Sequence, residues 1–331
     1  MNPPKCNEYD YINFLIGTQK AYSCSEAERV QPEQVNPVAH DAVNRLLHRM
    51  EPSSEALWRE AQKYVSLDTG ILVIDDSTLD KFYAQKIELV TRHWSGKHGR
   101  VVQGINLITL LWTQGDSHIP CDYRLYDKSN DSATKNDHFR AMLQNAKQRS
   151  FQPTCVVFDG WYSSLENLKT IRGYGWLWLT RLKRNRLVNP DGTGNLPLHQ
   201  VELSEAGTIV HLKGYGMVKV FKIVTPDGDL DYWTTNDLNL PELQRLQWAE
   251  FAWAIEEYHR GLKQFCGVER CQVRASRAQR NHIGLALRAF LRLECHCLAT
   301  GISWFHAKTG IIRQAVRAYL ANPLYTLLST A

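Results

Sequence analysis

The chain has 331 residues, a hydrophobic share of 44% and a net charge of +5, which suits an ordinary globular protein with one large core or two modest domains. It has no run of the about 18 uncharged apolar residues that a membrane-spanning helix needs, and its first ten residues lack the apolar run of a signal peptide. We therefore expect a cytoplasmic protein without a membrane partner.

The first 69 residues are predicted to form a small helical domain. Asn36 and Pro37 supply a cap and a first-turn proline ahead of a helix over residues 38–50, and Ser53 or Ser54 opens a second helix over residues 55–65.

The segment from residue 70 to residue 188 alternates between strand and helix patterns. Three apolar strands joined by short turns come first, followed by helix, strand, helix and strand. This β-β-β-α-β-α-β order, closed by a later helix, is that of an RNase H-like domain in the α/β class. The predicted strands cover residues 70–74, 100–112, 118–126, 153–158 and 176–182, and the predicted helices residues 134–149 and 163–172.

The rest of the chain divides into three further segments. Residues 189–237 are rich in Gly, Pro and Thr with short alternating runs, which indicates a β-rich insertion. Residues 238–280 return to the RNase H-like domain and contain a long helix over residues 241–265. Residues 281–331 are expected to form C-terminal helices.

The eight cysteines are irregularly spaced, unlike a disulfide framework, and we expect most of them to be reduced. The closest grouping is Cys295 and Cys297, with Cys266 and Cys271 upstream, and it contains no Cys-x-x-Cys pair. A zinc site is therefore not predicted.

Positive charge is concentrated near the C-terminus. Residues 258–331 contain eleven Lys and Arg against two acids, Glu269 and Glu294, whereas the preceding residues are net acidic. This distribution suits a phosphate-backbone partner, although a charged helix face is more often simply solvated.

Acidic residues follow two of the predicted strands. Asp75 and Asp76 come after the first apolar run, and Asp159 ends the fourth strand. In an RNase H-like order these two strands are parallel neighbours, so the acids would meet and could clamp two Mg²⁺ ions for phosphodiester transfer. Alternatively, these acids have a purely structural role as turn residues or helix caps.

The long helix supplies a third acid, Glu256. Helical spacing places Glu256, His259 or Arg260, and Lys263 on one face, with Trp253, Tyr258 and Leu262 as candidates for burial. By itself this pattern is equally typical of a surface ion pair.

At these residues the sequence resembles the DDE transposases of bacterial insertion sequences, in the group with a β-rich insertion before the catalytic glutamate. The helix matches that family's Tyr-x-x-Arg-x-x-x-Glu-x-x-x-x-x-x-Lys signature at Glu256 and Lys263, but has Ala249 and Ala252 at its Tyr and Arg positions. The resemblance implies catalytic and metal-binding roles for Asp159, for Glu256 and for Asp75 or its neighbour Asp76, with Mg²⁺ as the ion and Mn²⁺ as a substitute.

The resemblance also implies DNA contacts. It places Arg181 and Lys183 on a basic strand lining the active site and gives Lys263 a DNA-contacting role, while Tyr232 or Trp233 in the insertion could stack on a base or belong to the core. The other candidate phosphate contacts are Arg184, Arg260, Arg270, Arg274, Arg277 and Arg280, with Arg288 and Arg292 in the same basic stretch.

The expected protein is a transposase that binds the terminal inverted repeats of its element through double-stranded DNA contacts, including an N-terminal DNA-binding domain, and joins the cut 3′ ends to target DNA. The family implies at least a dimer in the synaptic complex, and an accessory targeting protein is possible. The alternatives are an RNase H-like nuclease or resolvase without strand transfer, and a domesticated DNA-binding protein that has lost its chemistry.

Overall fold

The computed structural model describes residues 4–33, 37–95, 99–225 and 227–323. The chain folds into two compact units. The sheet unit is Ser53–His259, and the helical unit combines Met1–Pro52 with Arg260–Ala331. The helical unit therefore draws on both ends of the chain.

Eleven strands within the described residues of the sheet unit form one mixed sheet. They are β1 (Ile71–Asp80), β2 (Thr91–Ser95), β3 (Arg100–Thr113), β4 (Ile119–Tyr126), β5 (Cys155–Phe158), β6 (Trp178–Leu182), β7 (Leu187–Asn189), β8 (Leu196–Pro197), β9 (Thr208–Leu212), β10 (Gly216–Val224) and β11 (Leu230–Thr235).

The centre of the sheet is built around β1. Its first four residues, from Ile71 to Ile74, are buried, as expected for a strand covered on both faces. β1 pairs antiparallel with β3 along its whole length and parallel with β5, and β5 pairs parallel with β6. β4 pairs with β3 along the edge opposite β1, so the order across this part is β4-β3-β1-β5-β6.

The segment predicted as a β-rich insertion extends the same sheet. β11 pairs antiparallel with β6, and the order continues through β10, β9, β7 and β8. Val210, Val218 and Val220 are fully buried, so this extension has its own apolar core.

Four α-helices of the described chain begin in the sheet unit: α4 (Glu55–Ala61), α5 (Lys135–Gln148), α6 (Leu165–Gly173) and α7 (Glu242–Phe265), the last of which runs on beyond His259. A capping box between Thr134 and Asp137 starts α5. The apolar face predicted for α5 is confirmed, because Phe139, Met142, Leu143 and Ala146 are its buried residues.

The helical unit contains α1 (Glu8–Gly17), α2 (Cys24–Arg29), α3 (His40–Arg49), α8 (Ser276–Thr300) and α9 (Trp304–Ala321). Most of α8 is buried, and the Tyr11 hydroxyl on α1 lies 2.9 Å from Nδ1 of His282 on α8. The predicted cap Asn36 lies outside the described residues, and the helix after it begins at His40 rather than at residue 38.

Two other sequence expectations can be compared with the described residues. All eight cysteines are free, and five of them are buried. None of the described helices has the length and apolar character needed to cross a membrane.

Candidate active site

Asp75 and Asp76 lie inside β1, not just past its end as the apolar run predicted. They follow Ile74, the last β1 residue paired with β5, where Phe158 is its partner and Asp159 comes next. Because successive strand residues face opposite sides of a sheet, Asp75 and Asp76 have different surroundings.

Asp75 sits in a strongly acidic neighbourhood. Desolvation is the largest cause that raises the pKa of Asp75 well above its ordinary value, and the negative charges of Asp76, Asp159 and Glu256 raise it further. Three segments of the chain thus contribute negative charge around one carboxyl group. On β3, opposite Asp75, Thr109 has a buried hydroxyl oxygen with no hydrogen-bond partner within the described part of the chain.

Asp76 is held by three donors. Its carboxylate accepts hydrogen bonds from Asn106 Nδ2 at 2.6 Å, Lys135 Nζ at 2.8 Å and the Tyr162 hydroxyl at 2.7 Å. Desolvation acts to raise the pKa of Asp76, but the charge of Lys135 and the three hydrogen bonds outweigh it, and the net pKa is lowered. Asp76 is therefore an ionised carboxylate already satisfied by the protein.

Asp159 follows β5 and begins a 3-10 turn over Gly160–Tyr162. Its carboxylate is 3.2 Å from Nη2 of Arg181, and Nη1 of the same guanidinium lies 3.4 Å from the carboxylate of Asp231. The side chains of Asp159 and Arg181 are 45% and 47% exposed, so this pair is open to a ligand from solvent. The structure thus brings Arg181 beside the second predicted acid.

Glu256 lies on α7 with its side chain exposed. The negative charge of Glu256, like that of Asp159, contributes to the raised pKa of Asp75, after desolvation and the charge of Asp76. Across the described residues no three or more His, Cys, Asp or Glu side chains are arranged to hold a metal ion. The acids therefore share a neighbourhood without forming a ready coordination shell.

The donor set at this site fits Mg²⁺ in its chemistry. Carboxylate oxygens are the hard ligands that this ion prefers. The pKa of Asp75 is raised first by desolvation and then by repulsion from the neighbouring acids, and a divalent cation would relieve that repulsion. The metal ligands that fit best are the carboxylates of Asp75, Asp159 and Glu256, because the negative charges of the latter two act on Asp75. Asp76 fits less well, because its oxygens already accept three hydrogen bonds from the protein.

Exposed cationic and aromatic side chains border Asp159. The Lys183 ammonium lies 5.6 Å from the centroid of the Trp161 ring, and Arg181 lies 5.7 Å from that of Trp233. Lys183 and Arg184 are exposed, and Trp161 is 61% exposed. This edge of the sheet is suited to a polyanion with planar groups.

The remaining predicted DNA contacts belong to the helical unit. Arg260, Arg270 and Arg274 are exposed. Lys263 pairs with Glu269 at 3.2 Å, Arg277 pairs with Glu51 at 2.9 Å, and Arg280 donates to the Ser276 hydroxyl at 3.3 Å.

Two arginines of the predicted basic stretch contact helix α1 of the protein, which differs from the predicted role in phosphate binding. Arg288 is only 6% exposed and forms an ion pair with Glu8, so it is not a surface cation. The guanidinium of Arg292 lies 4.9 Å from the Tyr9 ring centroid. Both arginines hold helix α8 to α1 within the helical unit.

The aromatic predictions had mixed outcomes. Tyr258 and Leu262 are buried as expected, whereas Trp253 is 66% exposed, contrary to expectation. Tyr232 is buried and therefore a core residue, while Trp233 is partly exposed.

Sequence reasoning missed Asn106, Lys135 and Tyr162. They come from β3, the first turn of α5 and the turn after Asp159, and no spacing rule links such distant positions. The only available signal was Asp76 itself, since two adjacent carboxylates need a nearby cation. Lys135 is that cation.

Comparisons with known proteins bear on the family and the fold of the chain. The family model described as DDE superfamily endonuclease matches residues 36–201, half of the chain, a segment that includes Asp75, Asp76 and Asp159 and ends before Glu256. No curated protein matches the chain. Among solved structures, the chain is similar to the cryo-EM structure of a piggyBac transposase synaptic complex with hairpin DNA.

That structural similarity has a TM-score of 0.51 at 10% sequence identity and covers 96% of this chain and 73% of the other. At this identity it supports the fold alone, and the fold is the mixed α/β sheet with C-terminal helices described above. The family model, whose match covers half of the chain, establishes the family. The chain belongs to the DDE superfamily endonucleases.

Proposed function

We propose that this endonuclease is a transposase of a bacterial insertion sequence, which binds the terminal inverted repeats of its element, cleaves them and joins the 3′ ends to target DNA. The observation that carries the proposal is the parallel pairing of β1 with β5, which sets Asp75 and Asp159 directly after the paired residues Ile74 and Phe158. The negative charges of Asp159 and Glu256, which come from separate segments of the chain, also act on Asp75.

The proposed catalytic core is RNase H-like. The order β4-β3-β1-β5-β6, with antiparallel pairs on one side of β1 and parallel pairs on the other, supports this assignment. In this scheme residues 70–188 and 238–280 form the core, residues 189–237 the insertion, and residues 1–69 and 281–331 the flanking helical parts.

Asp75, Asp159 and Glu256 would hold Mg²⁺, or Mn²⁺ in its place. Held by these carboxylates, the metal would supply activation of a nucleophile and stabilisation of the leaving oxygen of the phosphodiester. The protein contributes fixed carboxylates and a partly desolvated setting, in which electrostatic interactions are stronger than in water.

The basic residues at the edge of the sheet would bind the DNA end. Arg181 is placed to exchange its contact with Asp159 for a phosphate once that carboxylate takes another partner. Lys183 and Arg184 add charge along the same strand and loop. Arg260, Lys263, Arg270, Arg274, Arg277 and Arg280 would contact the phosphate backbone from the helical unit.

The proposed assembly contains double-stranded DNA and a second copy of the chain. Cleavage at two element ends requires an active site at each, so at least a dimer would form the synaptic complex in the cytoplasm, at the nucleoid. An accessory protein could direct target choice.

The test is an assay with purified protein, Mg²⁺, a labelled element end and a target plasmid. We expect cleaved ends and products joined to the plasmid, and no products with Asp159→Asn. Cleavage without joining would instead indicate a nuclease or resolvase. DNA binding without cleavage by the unmodified chain would indicate a DNA-binding protein that has lost its chemistry.

A further inference from the structure

A buried polar network surrounds Asp76. The Asp76 network consists of Asp76, Asn106, Lys135 and Tyr162, and its three donors come from β3, α5 and the turn after β5. The side chains of Asp76 and Lys135 are only 18% and 19% exposed. One carboxylate thus connects three separate elements of the sheet unit.

Tyr162 is the member that reaches the second acid. Its backbone N–H donates to the Asp159 carbonyl at 2.9 Å, and its ring is fully buried and stacked on Phe139 at a centroid distance of 5.1 Å. The buried Asn167 amide also donates to the Tyr162 carbonyl at 2.9 Å. The hydroxyl of a rigidly packed side chain therefore binds β1, while its backbone holds the turn that begins at Asp159.

The sheet also has strand pairing and apolar packing that do not involve the network. β1 pairs with β3 over its whole length, and its apolar residues already fill the core around it. A buried ion pair adds little net stability compared with apolar packing. We therefore interpret the pair between Lys135 and Asp76 as one that fixes the positions of the elements it joins. The geometry in question is the placement of β1, which carries Asp75, relative to the turn that carries Asp159.

We propose that Tyr162 is a positioning residue that, through Asp76, sets the separation between Asp75 and Asp159 and so prepares them to bind a divalent cation. This inference rests on the proposed function. It assigns different roles to the adjacent acids, with Asp75 as a metal ligand and Asp76 as the anchor of the Asp76 network.

The experiment measures Mn²⁺ binding to the full chain without DNA, by calorimetric titration, for Tyr162→Phe, Asp76→Asn and the double variant. Tyr215→Phe is the matched control, because its hydroxyl is also in a buried hydrogen bond of the sheet unit, 2.9 Å from Trp178 Nε1. Circular dichroism and thermal unfolding establish that each variant is folded.

We expect Tyr162→Phe to weaken Mn²⁺ binding about 10-fold, as removal of groups that orient metal ligands does, and to raise the Mn²⁺ concentration for half-maximal cleavage equally. Tyr215→Phe should change neither value. Because Tyr162 acts through Asp76, the double variant should bind Mn²⁺ no more weakly than Asp76→Asn alone.

Unchanged Mn²⁺ binding by Tyr162→Phe, or additive losses in the double variant, would overturn the inference while leaving the proposed function intact. If Tyr162→Phe does not fold, Lys135→Gln provides the same test, since it removes a different donor to Asp76. A wild-type chain that binds no Mn²⁺, with Asp75→Asn behaving identically, would overturn both the inference and the proposed function.

Discussion

At the residue scale, Asp75 and Asp159 carry the sharpest predictions. Asp75→Asn and Asp159→Asn should each lower the cleavage rate at least about 100-fold, the scale seen when one preorganised electrostatic group is removed. Binding of the element end, measured by electrophoretic mobility shift, should persist. Loss of DNA binding together with cleavage would indicate a folding defect and would not support a metal-ligand role.

Asp75→Asn should also stabilise the protein. The pKa of Asp75 is raised in the folded state, so ionisation of this carboxyl favours the unfolded chain at neutral pH. Below about pH 4 the carboxyl is protonated in both states, and this destabilisation disappears. We expect Asp75→Asn to melt at a higher temperature than the wild type at pH 7, and the difference to shrink at pH 4. Scanning calorimetry at pH 7 and pH 4 tests this, and an equal gain at both values would contradict it.

His93 predicts a different pH dependence. Desolvation, with the nearby charge of Lys135, lowers its pKa from 6.5 to about 4. Between pH 6.5 and pH 4, His93 is therefore protonated in the unfolded chain and neutral in the folded chain, so stability is lost as the pH falls through this range. Between pH 7 and pH 4.5, the free energy of unfolding measured in urea should fall by about 2 kcal/mol more for the wild type than for His93→Gln. Parallel losses in the two proteins would refute this role.

At the element scale, the turn that carries Asp159 packs tightly against β6. A Cβ on Gly160 would lie 2.7 Å from the backbone carbonyl oxygen of Arg181, which cannot move without disturbing the strand. We expect Gly160→Ala to displace the turn and lower the cleavage rate about 10-fold or more, since small misplacements near reacting groups are costly. Gly173→Ala, where a Cβ would meet no atom within 4 Å, is the control. Equal cleavage rates for the two variants would contradict the tight fit.

The same scale shows what the sequence could and could not predict. The apolar face of α5 follows a 3.6-residue period and was predicted residue by residue. The first strand was predicted to stop at residue 74, because Asp75, Asp76 and Ser77 interrupt its apolar run. It continues to Asp80 because β3 supplies a partner for each residue from Asp75 to Asp80, and pairing with positions 24 to 34 residues away leaves no local pattern. The Asp76 network was hidden for the same reason.

At the scale of the whole molecule, charge on the helical unit predicts how DNA binding responds to salt. If Arg270 and Arg274 contact phosphates, the double alanine variant should weaken binding to all sequences alike and reduce the slope of log affinity against log salt by about 2. Fluorescence anisotropy between low and moderate salt measures this slope. Lys169→Ala, an exposed cation on α6 outside the proposed contacts, should leave it unchanged. An unchanged slope in the double variant would remove these arginines from the DNA interface.

The pairing of both chain ends in the helical unit also has a consequence for biosynthesis. Tyr11 and its partner His282 are separated by 271 positions, and at roughly 5–20 residues per second the ribosome needs tens of seconds to supply the second after the first. The sheet unit is synthesised within that interval and can acquire its structure first. Until α8 has been made, the apolar faces of α1 and α3 lack their partner helix, and we expect these nascent helices to be a target for chaperone binding.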